Sequence, residues 1–162
     1  MRLKTSYSSR EVAALTGLSA RQLQGWDAAR IFPPAIAPRR TSAGGFTERR
    51  YSPVDLLELV ALADLRRQGF APAALRQMMD TLRDYFRRRL SETLDDAGEV
   101  RLLTDGHGLF LRTRQGHIFD LLADPTQPLL TGDGLPLKPV NGRARPRVRR
   151  KVSKPSESSA HR

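Results

Sequence analysis

The 162-residue chain contains no cysteine, which rules out disulfides, thiolate metal sites and cysteine nucleophiles. Histidine is almost as scarce. His107, His117 and His161 have no metal-ligand spacing and lie beside turns or near the end of the chain, so no metal site is expected. Aromatic residues make up only 6% of the chain, against 39% apolar residues in all, enough for a modest core. No apolar run reaches membrane-spanning length, and the polar start Met1-Arg2-Leu3-Lys4-Thr5-Ser6 lacks the hydrophobic stretch of a signal peptide. A soluble, cytoplasmic protein is expected. The aspartates and glutamates nowhere form a pair suited to acid–base chemistry. With nucleophile, base and metal cluster all missing, the expectation is neither an enzyme nor a cofactor protein.

What the chain has in excess is positive charge, and its distribution says more than its size. The net +11 comes from 28 Lys and Arg against 17 Asp and Glu. Residues 1–95 carry sixteen basic and ten acidic side chains, a net +6 that lies entirely within residues 1–52, where nine basic residues face three acidic ones. Residues 96–140 are net −2, with four basic and six acidic, and residues 141–162 are net +7, with eight and one. Two basic ends around a mildly acidic middle fit a polyanionic partner better than a uniformly sticky surface does.

The first basic region contains Arg10-Glu11-Val12-Ala13-Ala14-Leu15-Thr16-Gly17-Leu18-Ser19-Ala20-Arg21-Gln22-Leu23-Gln24. Apolar residues at 12, 15, 18 and 23, two small alanines and a Gly-x-Ser break predict two short helices around a tight turn. That is the pattern of a helix-turn-helix, which offers its second helix to a DNA groove. Ser8 or Ser9 can cap the first helix, Gly17 lets the chain leave it, and Ser19 caps a second helix of about Ala20 to Ala29. Leu23 and Trp26, three apart, form the buried face of that helix, with Trp26 a brace rather than a DNA contact. Arg21, Gln22 and Gln24 then face outward, and arginine and glutamine are the side chains that pair bidentately with guanine and adenine.

Pro33-Pro34 stops any helix. Ile36 to Arg40 and Phe46 to Tyr51 predict a hairpin around Ala43-Gly44-Gly45, with Arg39, Arg40, Arg49 and Arg50 on its arms, suited to phosphates. Ser52-Pro53 opens a third helix that stops at Gly69. Ala71-Pro72 opens a fourth. Its apolar stripe from Leu75 through Leu82 to Leu90 and Leu94 predicts a long helix to about 94, part of which should pack on the next segment or on a second subunit. Val100 to Leu103 and Leu109 to Thr113, around Asp105-Gly106-His107-Gly108, predict a second hairpin. His117–Leu122 and short extended pieces near 129–130 and 135–140 complete a small β unit docked on the long helix. After Asn141-Gly142 the chain is Arg, Lys, Pro and Ser with few apolar residues, and is expected to be disordered alone.

In order and spacing, Tyr7, Glu11-Val12-Ala13, Thr16-Gly17-Leu18-Ser19, Trp26-Asp27, Arg49-Arg50-Tyr51-Ser52, Asp55-Leu56 and Leu65-Arg66-Arg67-Gln68-Gly69-Phe70 resemble the DNA-binding domain of the MerR family of bacterial regulators. Residues 85–140 loosely resemble the small β extension of MerR-like proteins found beside toxin–antitoxin or phage genes. The resemblance implies an α+β fold. Its parts would be a winged helix-turn-helix over 1–71, the long amphipathic helix over 72–95, a small antiparallel β unit over 96–140 and the basic tail over 141–162. It also implies a homodimer on palindromic double-stranded DNA, acting as a transcription regulator, with RNA polymerase or the product of an adjacent gene as further candidate partners. The implied DNA contacts are Arg10, Ser19, Arg21, Gln22 and Gln24 in the helix-turn-helix and Arg39, Arg40, Arg49, Arg50 and Tyr51 in the wing. Three departures stand out. Gly25 occupies a position where an aromatic is common in the family, and the wing arginine matches either Arg49 or Arg50. No separate heptad-spaced dimerisation helix follows. Repression of its own promoter is therefore expected over activation by DNA distortion. The alternatives from other classes are an excisionase-like architectural protein and an antitoxin with a DNA-binding domain.

Overall fold

Three serines start three helices in the same way. The hydroxyls of Ser8, Ser19 and Ser52 accept from the amides of Glu11, Gln22 and Asp55, and the side chains of those residues accept in return from the serine amides. Each reciprocal cap satisfies two amides that a helix start leaves orphaned, and losing such a cap costs about 1 kcal/mol. The computed structural model describes residues 4–34, 36–40, 47–129 and 136–142, without the side chains of 36–40, 47 and 48. Within it the chain runs β1 (Tyr7–Ser8), α1 (Ser9–Thr16), α2 (Ala20–Ala28), β2 (Ile36–Arg40), β3 (Thr47–Tyr51), α3 (Pro53–Arg67) and α4 (Pro72–Asp84). A 3₁₀ turn (Leu90–Thr93) and then β4 (Val100–Thr104), β5 (Leu109–Thr113), β6 (Ile118–Asp120) and β7 (Lys138–Pro139) follow. Four helices and two small antiparallel sheets make an α+β fold. The hairpin tip and the basic tail from residue 143 lie outside the described residues.

α1 and α2 are separated by Gly17, whose φ of 80° lets its amide close on the Ala13 carbonyl at 2.9 Å. α2 ends in a Schellman motif, with the Ile31 amide on the Trp26 carbonyl and the Arg30 amide on that of Asp27. α3 ends in the same motif through Phe70 and Gly69. Gly69 takes the positive φ of 104° without a Cβ clash, whereas Arg30 takes 57° with a full side chain, which costs about 1–2 kcal/mol.

The first sheet has the order β1-β3-β2, pairing Tyr7 with Tyr51 and Arg40 with Thr47. The second has the order β6-β5-β4-β7, with Leu102 opposite Leu111. One core joins both halves. Val12, Leu23, Trp26, Leu59, Leu62 and Leu65 of the first half share it with Leu75, Met78 and Leu82 of α4 and with Leu102, Leu111 and Leu121 of the second sheet. Burying a side chain of this size contributes about 1.5–3 kcal/mol, so the two halves stabilise each other. The opposite face of the second sheet carries a smaller cluster of Leu103, Phe110 and Ile118.

The helix expected over 72–95 is shorter than its apolar stripe suggested. α4 ends at Asp84, Arg87 takes φ 56°, and the Arg88 amide turns back to the Leu82 carbonyl at 2.9 Å. The stripe misled because Leu90 is buried in the same core whichever way the chain reaches it. Arg89 settles the path. Its guanidinium meets Asp55 at 3.0 Å and Glu58 at 2.7 Å, two α3 carboxylates that are almost wholly buried. The Ser91 amide also donates to Glu58, at 2.9 Å. A continuous helix would carry Arg89 away from them, and unpaired buried charges are far costlier than a broken helix. Part of the stripe is covered within the chain: Gln77 and Thr81 of α4 donate to the Leu122 and Leu121 carbonyls at 2.9 and 3.4 Å, and Phe86 meets Phe119 edge-to-face at 5.3 Å, while Tyr85 stays exposed.

Candidate nucleic-acid interface

α2 turns Leu23 and Trp26 inward, and both are buried. Helical geometry leaves Arg21, Gln22, Gln24 and Gly25 on the opposite side, and all four are exposed. Open space surrounds the position a Gly25 side chain would occupy. Arg10, on α1, is exposed as well. Ser19 and Gln22 carry a local duty beside any role toward a ligand. Gln22 Oε1 accepts from the Ser19 amide at 2.9 Å, and Ser19 Oγ from the Gln22 amide at 3.0 Å. The amide nitrogen of Gln22 is then left as a donor, while Arg21 and Gln24 make no side-chain hydrogen bond among the described residues.

The hairpin is tied to this helix by charge. Arg49 Nε donates to Asp27 Oδ2 at 2.8 Å, with both side chains about one-third exposed. Arg50 Nη2 donates to Ser6 Oγ at 2.6 Å, joining the hairpin to the segment before α1. Asp27 was not among the sequence candidates. The signal that could have found it is the acidic residue directly after a core tryptophan, on the turn of α2 that faces the returning strand. For Arg39 and Arg40 the backbone register alone is described, opposite Glu48 and Thr47.

Tyr51 does not belong with the surface candidates. It is fully buried, paired across β1 with Tyr7, and forms part of the core. Burial pushes its phenol above the usual range. Among the described residues the hydroxyl has no partner in hydrogen-bonding geometry, although Ser9 lies close enough to pull the value partly back. A β-strand alternates its side chains between faces, so Tyr51 points inward while Arg50 points away from it.

α1 and α2 thus pack around one turn with the hairpin pinned to α2 through Arg49 and Asp27, leaving Arg10 and Arg21 exposed. At the rear, Arg67 Nη1 of α3 donates to the Thr16 carbonyl at 3.1 Å, bracing the end of α1. Residues 7–82, just under half of the chain, match the family model described as MerR HTH family regulatory protein. This stretch is a MerR-family domain. No curated protein matches the chain.

The MerR domain accounts for the motifs in physical terms. The Trp26-Asp27 pair supplies a core brace and the anchor for the hairpin. Arg49-Arg50-Tyr51-Ser52 supplies, in turn, the partner of that anchor, a tie to Ser6, a core side chain and the cap of α3. A MerR-type helix-turn-helix marks a DNA-binding transcription regulator. Among the described residues no cluster of three or more His, Asp or Glu could hold a metal ion, and no helix is long and apolar enough to cross a membrane.

Proposed function

We propose that the protein is a sequence-specific, homodimeric regulator that represses transcription by occupying double-stranded DNA at its own promoter in the cytoplasm. The observation that carries this reading is the exposed face of α2 beside a hairpin held by the Arg49–Asp27 pair. In this reading α2 enters the major groove, where Arg21 and Gln24 read base edges and the remaining donor of Gln22 assists. The hairpin is the wing, and Arg39, Arg40, Arg49 and Arg50 follow phosphates and set register. Arg10 and the amide end of α2 at Ser19 add backbone contacts. The basic tail contributes sequence-independent, salt-sensitive affinity. Two recognition helices about 34 Å apart would read half-sites one helical turn apart.

Selection of bound duplexes from a random pool tests this directly. The expected product is a palindromic consensus protected in footprints, and a pool without a shared motif would sink specific readout. Arg21→Ala should then lose roughly 5- to 150-fold for the selected site, from the ~1–3 kcal/mol of one bidentate base contact, while binding to random DNA is unchanged.

A further inference from the structure

A cavity of about 880 Å³ lies between the segment that follows α2, the start of α3 and the end of α4. Its size is that of a small-molecule site. Ile31, Phe32, Met79 and Leu82 give it an apolar lining, and Arg30 and Arg87 stand at its rim. These two arginines are the only non-glycine residues with positive φ among those described, at 57° and 56°. They lie far apart in sequence, yet both strained positions border the same cavity. The Schellman end of α2 imposes the first and the chain reversal after α4 the second, and the two reversals bring both arginines to one cavity.

The charges around the cavity are unequally used. Its four acids are all engaged: Asp27 by Arg49, Asp55 and Glu58 by Arg89, and Glu92 by Arg88. Arg83 is held by Asp80 and Asp84. Arg30 and Arg87 make no side-chain hydrogen bond or ion pair among the described residues. Asp84 feels the charge of Arg87 only at a distance, while hydrogen-bonding to Arg83. The cavity therefore has an apolar body and two uncommitted guanidiniums, groups whose planar forks match carboxylate, phosphate or sulfonate oxygens.

We propose that this cavity binds a small organic anion with an apolar or aromatic body, its acidic group held between Arg30 and Arg87. A neutral ligand would leave the cations unused. A cationic one would meet them, with every nearby carboxylate already paired. The assignment stands independently of how the protein reads DNA.

Titration calorimetry of the full chain tests it with two probes that share aromatic rings and differ in charge, anilinonaphthalene sulfonate and neutral phenylnaphthylamine. The sulfonate should occupy one saturable site and bind at least about tenfold tighter than the neutral compound. An Arg30→Gly, Arg87→Gly double variant removes both charges while glycine accepts the positive φ, so it should remain folded by circular dichroism. It should lose about tenfold in affinity for the sulfonate and leave the neutral probe unchanged, whereas Arg30→Lys with Arg87→Lys should retain most of the binding. Absence of a saturable site, equal affinity for the two probes, or an unaffected glycine variant would each overturn the assignment.

Discussion

In the three-stranded sheet, Arg49 and Arg50 lie half-buried, Arg49 donating to Asp27 and Arg50 to Ser6. In the four-stranded sheet, Arg101 is 4% exposed and fully committed: it donates to the Thr93 carbonyl at 3.0 Å, the Val140 carbonyl at 2.6 Å, Asn141 Oδ1 at 3.2 Å and Asp96 at 2.9 Å. Both sheets are small and antiparallel, and both carry arginine on a strand next to a turn. The difference lies in what the guanidinium replaces. Arg101 satisfies backbone carbonyls that β7 and the 3₁₀ turn leave unpaired inside the molecule, so its charge is consumed by the fold. Arg49 and Arg50 spend part of their donors on position and keep part of their surface toward solvent. A basic residue in a basic region is thus not evidence of a ligand contact until its hydrogen bonds have been counted.

Breaking the junction between the two sheets should have the largest effect. Arg89→Ala takes the guanidinium away from two buried carboxylates, Asp55 and Glu58, and should destabilise the whole chain by about 3–5 kcal/mol in urea titrations. A loss below about 1 kcal/mol would mean that the two acids are not held as described. Next in size is Arg101→Ala, which strands two buried carbonyls and should cost about 2–3 kcal/mol of stability, while the proposed DNA binding per folded molecule should stay as it is. The matching change in the other sheet should invert that pattern. Arg49→Ala removes a partly exposed pair worth up to about 1 kcal/mol, while DNA affinity falls for all sequences alike and the salt slope drops by about one. Equal losses of stability in Arg49→Ala and Arg101→Ala would abolish the contrast.

The smallest effect belongs to the β4–β5 turn. The amides of Gly108 and His107 donate to Asp105 at 2.7 and 2.8 Å and hold its carboxyl below the usual aspartate range. A carboxylate with a depressed folded-state pKa stabilises above its unfolded value of about 3.9, and that contribution fades as pH falls through the folded value. Asp105→Asn should keep the turn and flatten the acid side of the stability profile below about pH 4, measured by thermal unfolding across pH. An unchanged profile would assign acid sensitivity elsewhere.

Much of this architecture was legible before any coordinates. Ser19 and Ser52 were expected as helix caps, with Ser8 and Ser9 left as alternatives for the first helix, and Ser8 fills that place. Gly17 and Gly69 were expected as helix stops and lie at two positive-φ turns, and Pro53 and Pro72 open two helices. These are local signals, and local chemistry settles them. The candidate face on α2 was legible for the same reason, since a helix with Leu23 and Trp26 inward has only one way to place Arg21 and Gln24. What escaped depended on partners distant in sequence. The tie from Arg49 to Asp27 spans 22 residues and that from Arg89 to Asp55 spans 34. Tyr51 was grouped with its basic neighbours, yet strand alternation turned it inward, and the buried acids of α3 ended a helix that periodicity alone would have continued.

The sequence by itself determined where the four helices begin, where α1 and α3 end at glycine, which residues stand on the exposed side of α2, and that positive charge gathers at the two ends of the chain. Those properties rest on interactions within one turn of backbone, or on composition. Only the tertiary structure decided which arginines are spent on the fold and which retain a face to solvent, because a guanidinium's partners are carbonyls and carboxylates brought near by packing. That decision separates Arg101 and Arg89 from Arg21, Arg30 and Arg87, five residues that the sequence writes with the same letter.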